Sequence, residues 1–488
     1  MNLEITLLRM KEDNLLIEEF LHSFERVKKF FRWNPETDWQ ACAGLRANSG
    51  ADRNQIADIL HDQNSGWQAR SATMDHIQQI RNPGTLCLMT GQQVGIFGGP
   101  LYTLYKAITA VKLAKFLTLQ FPRWNVVPCF WMEVGDNDYR EINHIFTIDK
   151  ESRLVRLSLP DQPTDFRSVS HRTIPPEIEE VHRKLDEALF PSEFKTKILG
   201  MLREEYSEGK HFSDAFARLL HHLLGDYGLV IIDPSDRRFK LLAKHVFRAA
   251  LNEAEKLHEL INRQNRELEK HNYPVQVRLT EKQTLLFLQA DDFSRCRIDR
   301  QEKQFLVRHP KQPFTISMKD LSELLEEQPW RFSPNALLRP VYQDSLFATL
   351  GYVGGPAELA YTAQLQPIYQ LFNLPQPVFF PRARVTLVEK KIDRLVQKYG
   401  LNYPKIFALG DRLITDFTRR HSEVQLEQLF SEPVGKIEQL LNRLEPAVRE
   451  IDPTLISALD KTNKQINRAF LNLKARTEQA FARKLDME

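Results

Sequence analysis

The chain has 488 residues, 42% of them hydrophobic and 27% charged, which excludes wholesale disorder and fibrous repeats. Its 67 basic and 64 acidic residues nearly cancel to +3, so no basic surplus points to a nucleic-acid partner. No apolar run reaches the ~18 residues of a membrane span, the first residues lack a secretory pattern, and Cys42, Cys87, Cys129 and Cys296 form no CxxC pair; the expectation is a cytoplasmic chain with reduced thiols and no tightly bound metal.

Residues 1–80 read as a helical segment that packs on the core, because Leu15, Ile17, Phe20, Leu21, Phe24, Val27 and Phe30 recur at helical spacing. Thr85 to Met89 is a short apolar run behind the turn signal Asn82-Pro83-Gly84, and it predicts a buried strand. A glycine-rich loop from Thr90 to Pro100 follows, then a helix from about Leu101 to Leu119, then a strand from Asn125 to Met132. That run has the size of one parallel βαβ unit, so residues 81–150 form the first half of an α/β core. Residues 151–215 are polar and proline-bearing and read as an insertion.

Residues 216–390 read as the second half of the core. They hold a strand at Leu229 to Ile232, one long helix from Arg238 to Lys270, and a further insertion around 271–335 with strand segments between Val275 and Ile298. An apolar strand at Leu346 to Val353, a helix from Ala357 to Phe372 and a strand at Pro377 to Phe380 complete it. Strands alternating with helices predict a mostly parallel sheet. In residues 391–488, Leu455, Leu459, Thr462, Ile466, Ala469, Leu473 and Ala480 keep heptad spacing. Ile437, Leu440, Leu444, Val448 and Ile451 continue it upstream, and Pro446 and Pro453 predict a division into two helices. The tail reads as a coiled-coil arm, either a structural hairpin or a dimerisation device.

Ligands of open α/β sheets bind beyond the carboxyl ends of the strands, and three polar clusters fall there. In the first, the glycines of Thr90 to Pro100 allow either close backbone approach to a ligand or a tight turn. Tyr102 and Lys106 share a helix face beside it, and the lysine is placed to meet a phosphate or carboxylate. In the second, Asp136 and Asp138 either hold a substrate amine, a ribose hydroxyl or magnesium, or cap a short helix; Asn143 and His144 follow, the histidine as a candidate acid/base. In the third, Gln343 precedes Gly354-Gly355-Pro356, after which Glu358, Tyr361 and Gln364 share a helical stripe. Gly354-Gly355-Pro356 repeats Gly98-Gly99-Pro100, and the two loops are expected to face each other across one cleft.

The runs from Thr90 to Ala114, from Arg339 to Tyr369 and from Pro381 to Glu389 resemble the bacillithiol biosynthesis cysteine-adding enzymes, and Phe130 to His144 matches in outline. The resemblance implies a Rossmann-like core similar to class I aminoacyl-tRNA synthetases and nucleotidyltransferases, with a coiled coil that dimerises. It implies a ligase joining the carboxyl group of L-cysteine to the amine of glucosaminyl-malate. Activation by ATP or another nucleotide with Mg2+ is the chemically sensible route. On that reading Gly91, Gly95, Gly98 and Gly99 bind the nucleotide, Asp136, Asp138, His144 and Lys106 are catalytic, and Gln92, Gln93, Tyr102, Asn143, Gln343, Glu358, Tyr361 and Gln364 bind substrate. The synthetase HxGH signature and a KMSKS-type loop are absent, and Gly135-Asp136-Asn137-Asp138 stands where the family reads Glu-Asp-His-Asp. Two other readings are a nucleotidyltransferase acting on another small carboxylate and a non-catalytic metabolite-binding scaffold that dimerises through its coiled coil.

Overall fold

Four helices precede the first strand: α1 (Leu15–His22), α2 (Trp39–Arg46), α3 (Arg53–Gly66) and α4 (Ser71–Ile80). They belong to a computed structural model that describes residues 14–302, 304–410, 412–413 and 426–485; the stretch read as lacking a secretory signal lies almost wholly outside these. The described residues fall into two compact units, one ending at Val385 and one running from Thr386. The early helices bury Leu16, Ile17, Phe20, Ile56, Leu60 and Ile77. Arg46 closes α2 and is fully buried. Its guanidinium donates to the carbonyls of Asp344, Phe347, Thr349 and Pro375 at 2.8–2.9 Å, which fastens the helical segment to the far half of the core.

Strand β1 (Thr85–Gln93) runs four residues further than its apolar pattern predicts. The cause is its parallel partner β2 (Asn125–Glu133), which pairs with it from Thr85↔Asn125 to Gln93↔Glu133. Gly91 is required by that ladder, because a Cβ there would stand 2.7 Å from the Trp131 carbonyl oxygen. Between the two strands lies α5 (Tyr102–Gln120). The insertion that follows holds an antiparallel hairpin, β3 (His144–Ile148) and β4 (Leu154–Ser158), and the helices α6 (Ile178–Ala188) and α7 (Lys195–Glu205). Helix α8 (Phe212–Leu224) then leads to β5 (Val230–Ile232).

The single helix expected next is three: α9 (Arg237–Leu242), α10 (Lys244–Asn252) and α11 (Ala254–Lys270). At Ala243 and Glu253 the backbone leaves helical geometry with ψ of 11° and 19°, and neither break carries proline or glycine. Each segment instead turns its own apolar face to the core: Phe239, then Phe247 and Ala250, then Leu257, Ile261 and Leu268. Tertiary packing overrides helix propensity here.

The second insertion is more ordered than the sequence pattern suggests. β6 (Gln283–Gln289), β7 (Arg295–Arg300), β8 (Gln304–Arg308) and β9 (Phe314–Ser317) form one antiparallel sheet, and after α12 (Met318–Glu327) β10 (Phe332–Pro334) joins its other edge. Residues 275–282 form no strand. Arg339 opens a helix, α13 (Arg339–Leu346), ahead of β11 (Thr349–Gly354). The next expected helix is divided into α14 (Pro356–Thr362) and α15 (Gln366–Leu371), because Pro367 sits in the first turn of α15 and supplies no N–H to continue α14. β12 (Val378–Pro381) is last.

The central sheet is parallel throughout, in the order β12-β11-β1-β2-β5. The chain leaves β1 toward β2 and β5, then returns to build β11 and β12 on its other side. The crevice between the ends of β1 and β11 is therefore the topological switch point. All four cysteines are buried and free. Among the described residues, no helix is long and apolar enough to cross a membrane.

The second unit contains helices Lys390–Lys398, Tyr403–Leu409, Leu426–Ile451 and Ile456–Leu485. The last two pack on each other, with Asn467 Nδ2 donating to Glu438 Oε1 at 3.3 Å. Pro446 does not divide them as expected: it lies inside Leu426–Ile451 with Pro433, and the chain turns only at Pro453–Leu455. An interior proline removes one backbone hydrogen bond, a loss this 26-residue helix absorbs.

Replacing Arg46 with Met removes the guanidinium from four carbonyl oxygens, of which Phe347 O keeps the Thr349 N–H. Urea unfolding should show the first unit destabilised by about 3 kcal/mol, since one unanswered buried group costs about 1–3 kcal/mol.

Candidate functional site

The helices that follow the two Gly-Gly-Pro loops meet at the switch point, where an ion pair of Lys106 and Glu358 stands in place of the cleft expected between the loops. At the first, Phe97, Gly98 and Gly99 all take positive φ (53°, 86° and 71°), a turn that glycine enters without the steric cost of a Cβ. Helix α5 then carries Lys106 inward, where it is 3% exposed. Its ammonium donates to Gly91 O at 2.9 Å and Gln92 Oε1 at 2.8 Å, and it lies 2.6 Å from Glu358 Oε2. Glu358 stands in the first turn of α14, behind the second loop. It also accepts from the Gly355 N–H at 2.7 Å and the Tyr352 hydroxyl at 2.6 Å. Burial pulls the Lys106 pKa down, and Glu358 opposes that pull.

This differs from the expectation for Lys106. An ammonium has three donors, and all three are engaged within the fold. The lysine ties α5 and β1 to α14, and no donor is left for a phosphate or carboxylate. The loop glycines do not fit a nucleotide phosphate either. The Gly95 N–H goes to Gln93 O, that of Gly98 to the Tyr206 hydroxyl and that of Gly99 to Ile96 O, while Gly91 is a ladder position.

A cleft of ≈ 350 Å³ opens beside the ends of β2 and β5. Trp131 and Glu133 line it from β2, Pro234 and Ser235 from the loop after β5, and Lys240 from α9. Arg295, Arg331 and Ser333 come from the antiparallel sheet and its flank, and Arg339 and Tyr342 from α13. Five cations thus line one cleft: Arg237, Lys240, Arg295, Arg331 and Arg339. Lys240 is 6% exposed and lies 4.6 Å from the centre of the Tyr342 ring; burial pulls its pKa down to about 8. Arg295 stacks on Phe287 at 3.6 Å and donates to Asp136 Oδ1 at 3.0 Å. Burial raises the pKa of Glu133, whose Oε2 is shielded from solvent and has no hydrogen-bond partner.

Arg339 links the cleft to the switch point. It donates to Gln343 Oε1 at 3.0 Å and to the Tyr361 hydroxyl at 3.1 Å, and it lies over the Tyr352 ring. Tyr352 in turn meets Glu358. Gln92, Lys106, Glu358, Tyr361 and Gln343 therefore belong to one polar network that ends in the cleft wall, and Asp136 joins that wall through Arg295.

The other expected residues lie apart. Asp138 is exposed and caps the short turn Tyr139–Glu141, accepting from the Arg140 N–H at 3.0 Å. Asn143 is fully buried and binds Leu159 O and Asp161 Oδ1, tying β3 to the chain beyond β4. His144 lies against Asn143 and Phe146 on the hairpin face that carries exposed Phe146 and Ile148, and it is not among the residues that line the cleft. Gln93 bonds Glu141, and Tyr102 is exposed beneath Arg382. Gln364 is fully buried and uses its amide on Asn265 and on both backbone groups of Val277.

Glu133, Lys240 and Arg295 were not among the expected residues. Glu133 and Lys240 have a signal in the sequence, a charge set against apolar neighbours, as in Phe130-Trp131-Met132-Glu133 and Phe239-Lys240-Leu241; Arg295, in Ser294-Arg295-Cys296-Arg297, has none. Among the described residues, the group of acids and histidines with metal-ligand spacing is Glu204, Glu205 and His222, and none of these lines the cleft.

Comparison with known proteins accounts for both units. Residues 3–383 match the family described as "Bacillithiol biosynthesis BshC, N-terminal Rossmann-like domain", and residues 385–488 match its "C-terminal coiled-coil domain". A Salinibacter ruber protein is 36% identical over 475 residues, covering 96% of this chain and 86% of its own length. Proteins of Koribacter versatilis and Chloroherpeton thalassium are each 31% identical, covering 88% and 93% of this chain and 79% and 82% of their own lengths. All three carry the description "Putative cysteine ligase BshC". With a Rossmann-like parallel sheet followed by a coiled-coil domain, the chain belongs to the BshC family of bacillithiol biosynthesis.

Proposed function

We propose that the chain is a ligase that adds L-cysteine to the glucosamine amine of glucosaminyl-malate, the last step of bacillithiol biosynthesis, through an activated cysteine carboxylate. The observation that carries this reading is the ≈ 350 Å³ cleft with five cations at the ends of parallel strands. Malate contributes carboxylates, cysteine contributes another, and activation by ATP adds phosphates. Largely shielded cations such as Lys240 and Arg295 neutralise such groups far better than water-exposed charges do. Family membership supplies the reaction class, and the relatives' descriptions supply the cysteine.

The cations suit a nucleotide co-substrate where the glycine loop does not. Arg237, Lys240 and Arg331 would face its phosphates, and the bound nucleotide would supply the leaving group for the cysteine carboxyl. Magnesium would enter on those phosphates, since it is commonly held by phosphate and water with few protein ligands. Asp136 holds Arg295 in the cleft wall, and the network from Lys106 through Glu358 and Tyr352 holds Arg339. The arm is the dimerisation element. In one chain its Leu440, Leu444, Ile451 and Leu473 are 52–80% exposed, a surface that a second copy would cover.

Purified protein given cysteine and glucosaminyl-malate should yield the bacillithiol mass only with ATP and magnesium; a product that forms without a nucleotide would remove ATP from the reaction. Asp136→Ala should lower turnover about 100-fold, the scale of a misplaced binding group, with a melting point within a few degrees of wild type. Wild-type turnover in that variant would sink the assignment. Leu440→Glu with Leu444→Glu should convert a dimer to a monomer in light scattering, and a wild-type chain that is already monomeric would end the dimer proposal.

A further inference from the structure

Glu133 is the one acid whose carboxylate enters the cleft from the end of a central strand. It closes β2, so the ladder to Gln93 fixes its backbone. Its Oε2 is buried without a hydrogen-bond partner, although Arg295, Arg339 and Lys240 all line the same cleft. Each of those cations is engaged elsewhere: Arg295 with Asp136, Arg339 with Gln343 and Tyr361, Lys240 over the Tyr342 ring. Their fields favour the ionised form of Glu133, burial opposes it, and Asp136 adds to that opposition. The next cleft residue on the chain is Gly135, where a Cβ would approach Glu133 Oε1 to 3.3 Å. Glycine there leaves that oxygen uncrowded.

A buried acceptor with an open lone pair, in a cleft where five cations outnumber Glu133 and the Arg331-bound Asp291, is suited to one partner: an N–H of the ligand. Both substrates of the proposed reaction carry an amine, but only the nucleophilic one must lose a proton. Resting on the ligase reading, we propose that Glu133 is the proton acceptor for the amine nucleophile of amide formation. The neutral amine nitrogen attacks the carbonyl carbon of cysteine activated as an acyl phosphate or acyl adenylate. The new C–N bond forms, and the bond from that carbon to the phosphate oxygen breaks with its electron pair on the oxygen. The surplus nitrogen proton passes to the Glu133 carboxylate. A carboxylate that holds protons more tightly than an exposed one is the stronger base for this transfer. The fields of Arg339, Arg295 and Lys240 favour its ionised form against the effect of burial.

The test separates this transfer from activation. Hydroxylamine traps activated cysteine as a hydroxamate and, as a weakly basic nucleophile, needs little help in losing its proton. Glu133→Gln keeps the size of the side chain and removes the acceptor. It should lower the ATP-dependent amide product by about 100-fold or more, the usual share of a general base, while hydroxamate formation stays within about twofold of wild type. Glu133→Asp keeps a carboxylate, shortened by one methylene, and should retain more coupling than Glu133→Gln at every pH. Equal loss of amide and hydroxamate would overturn the proposal, because Glu133 would then serve activation or folding. Wild-type coupling in Glu133→Gln would overturn it as well. If the wild-type protein makes neither product with ATP, the ligase reading fails with it, a failure seen in the unmutated chain and so distinct from a failure in the variant.

Discussion

The buried ammonium of Lys106 is the constraint on which the centre of the molecule depends. A cation that is 3% exposed is tolerated only when its donors are answered. Here the answers come from β1, in Gly91 and Gln92, and from α14, in Glu358. Those elements are separated by more than 250 residues of chain and meet because the sheet order sets β11 beside β1. The tie requires Gly91 to present its carbonyl at a ladder position, Glu358 to sit in the first turn of its helix, and α5 to enter at the angle set by the positive-φ turn at Phe97–Gly99. The helices behind two Gly-Gly-Pro loops that look like ligand loops are thereby held to each other.

The chemistry is moved sideways as a result. With the switch point filled by protein, the open volume lies over β2 and β5 and is roofed by the antiparallel sheet. That sheet brings Arg295 and Arg331, and α13 brings Arg339. Five cations would repel one another in a closed cleft, so each is separately engaged: an aspartate for Arg295 and for Arg331, a glutamine and a tyrosine for Arg339, aromatic faces for Lys240 and Arg237. The arrangement leaves positive potential in the cleft and one acid, Glu133, whose terminal oxygen is still unpaired.

The parallel core was legible because its strands are short apolar runs with strong turn signals, and β1, β2, β5 and β12 begin within a residue of where those signals place them. The repetition of Gly-Gly-Pro foretold that the helices behind the two loops come together, but not that Lys106 and Glu358 would fill the place of the expected cleft. The length of β1 was not legible, because Thr90 to Gln93 carry no apolar pattern and are strand only through pairing with β2. Nor was the division of α9, α10 and α11, where nothing local breaks the helix. At the site, residue type misled in a consistent direction. Asp138, Asn143 and Gln364 are the polar residues that attract notice in a sequence, and here they cap a turn or satisfy buried backbone. Glu133 and Lys240 are single charges inside apolar runs, and only the sheet topology shows that they share a cleft.

That contrast follows from how polar groups earn a buried place. One that serves the fold finds all its partners inside the chain, as Lys106, Asn143 and Gln364 do. One that serves a ligand must leave a bonding position open, and the open position carries a desolvation cost that packing does not return. Glu133 carries such a cost, with Oε2 out of solvent and unanswered while three cations stand in the same cleft. Those cations lower the cost of keeping it charged without closing its lone pair, so the cleft holds an acceptor for a donor that the fold itself does not supply.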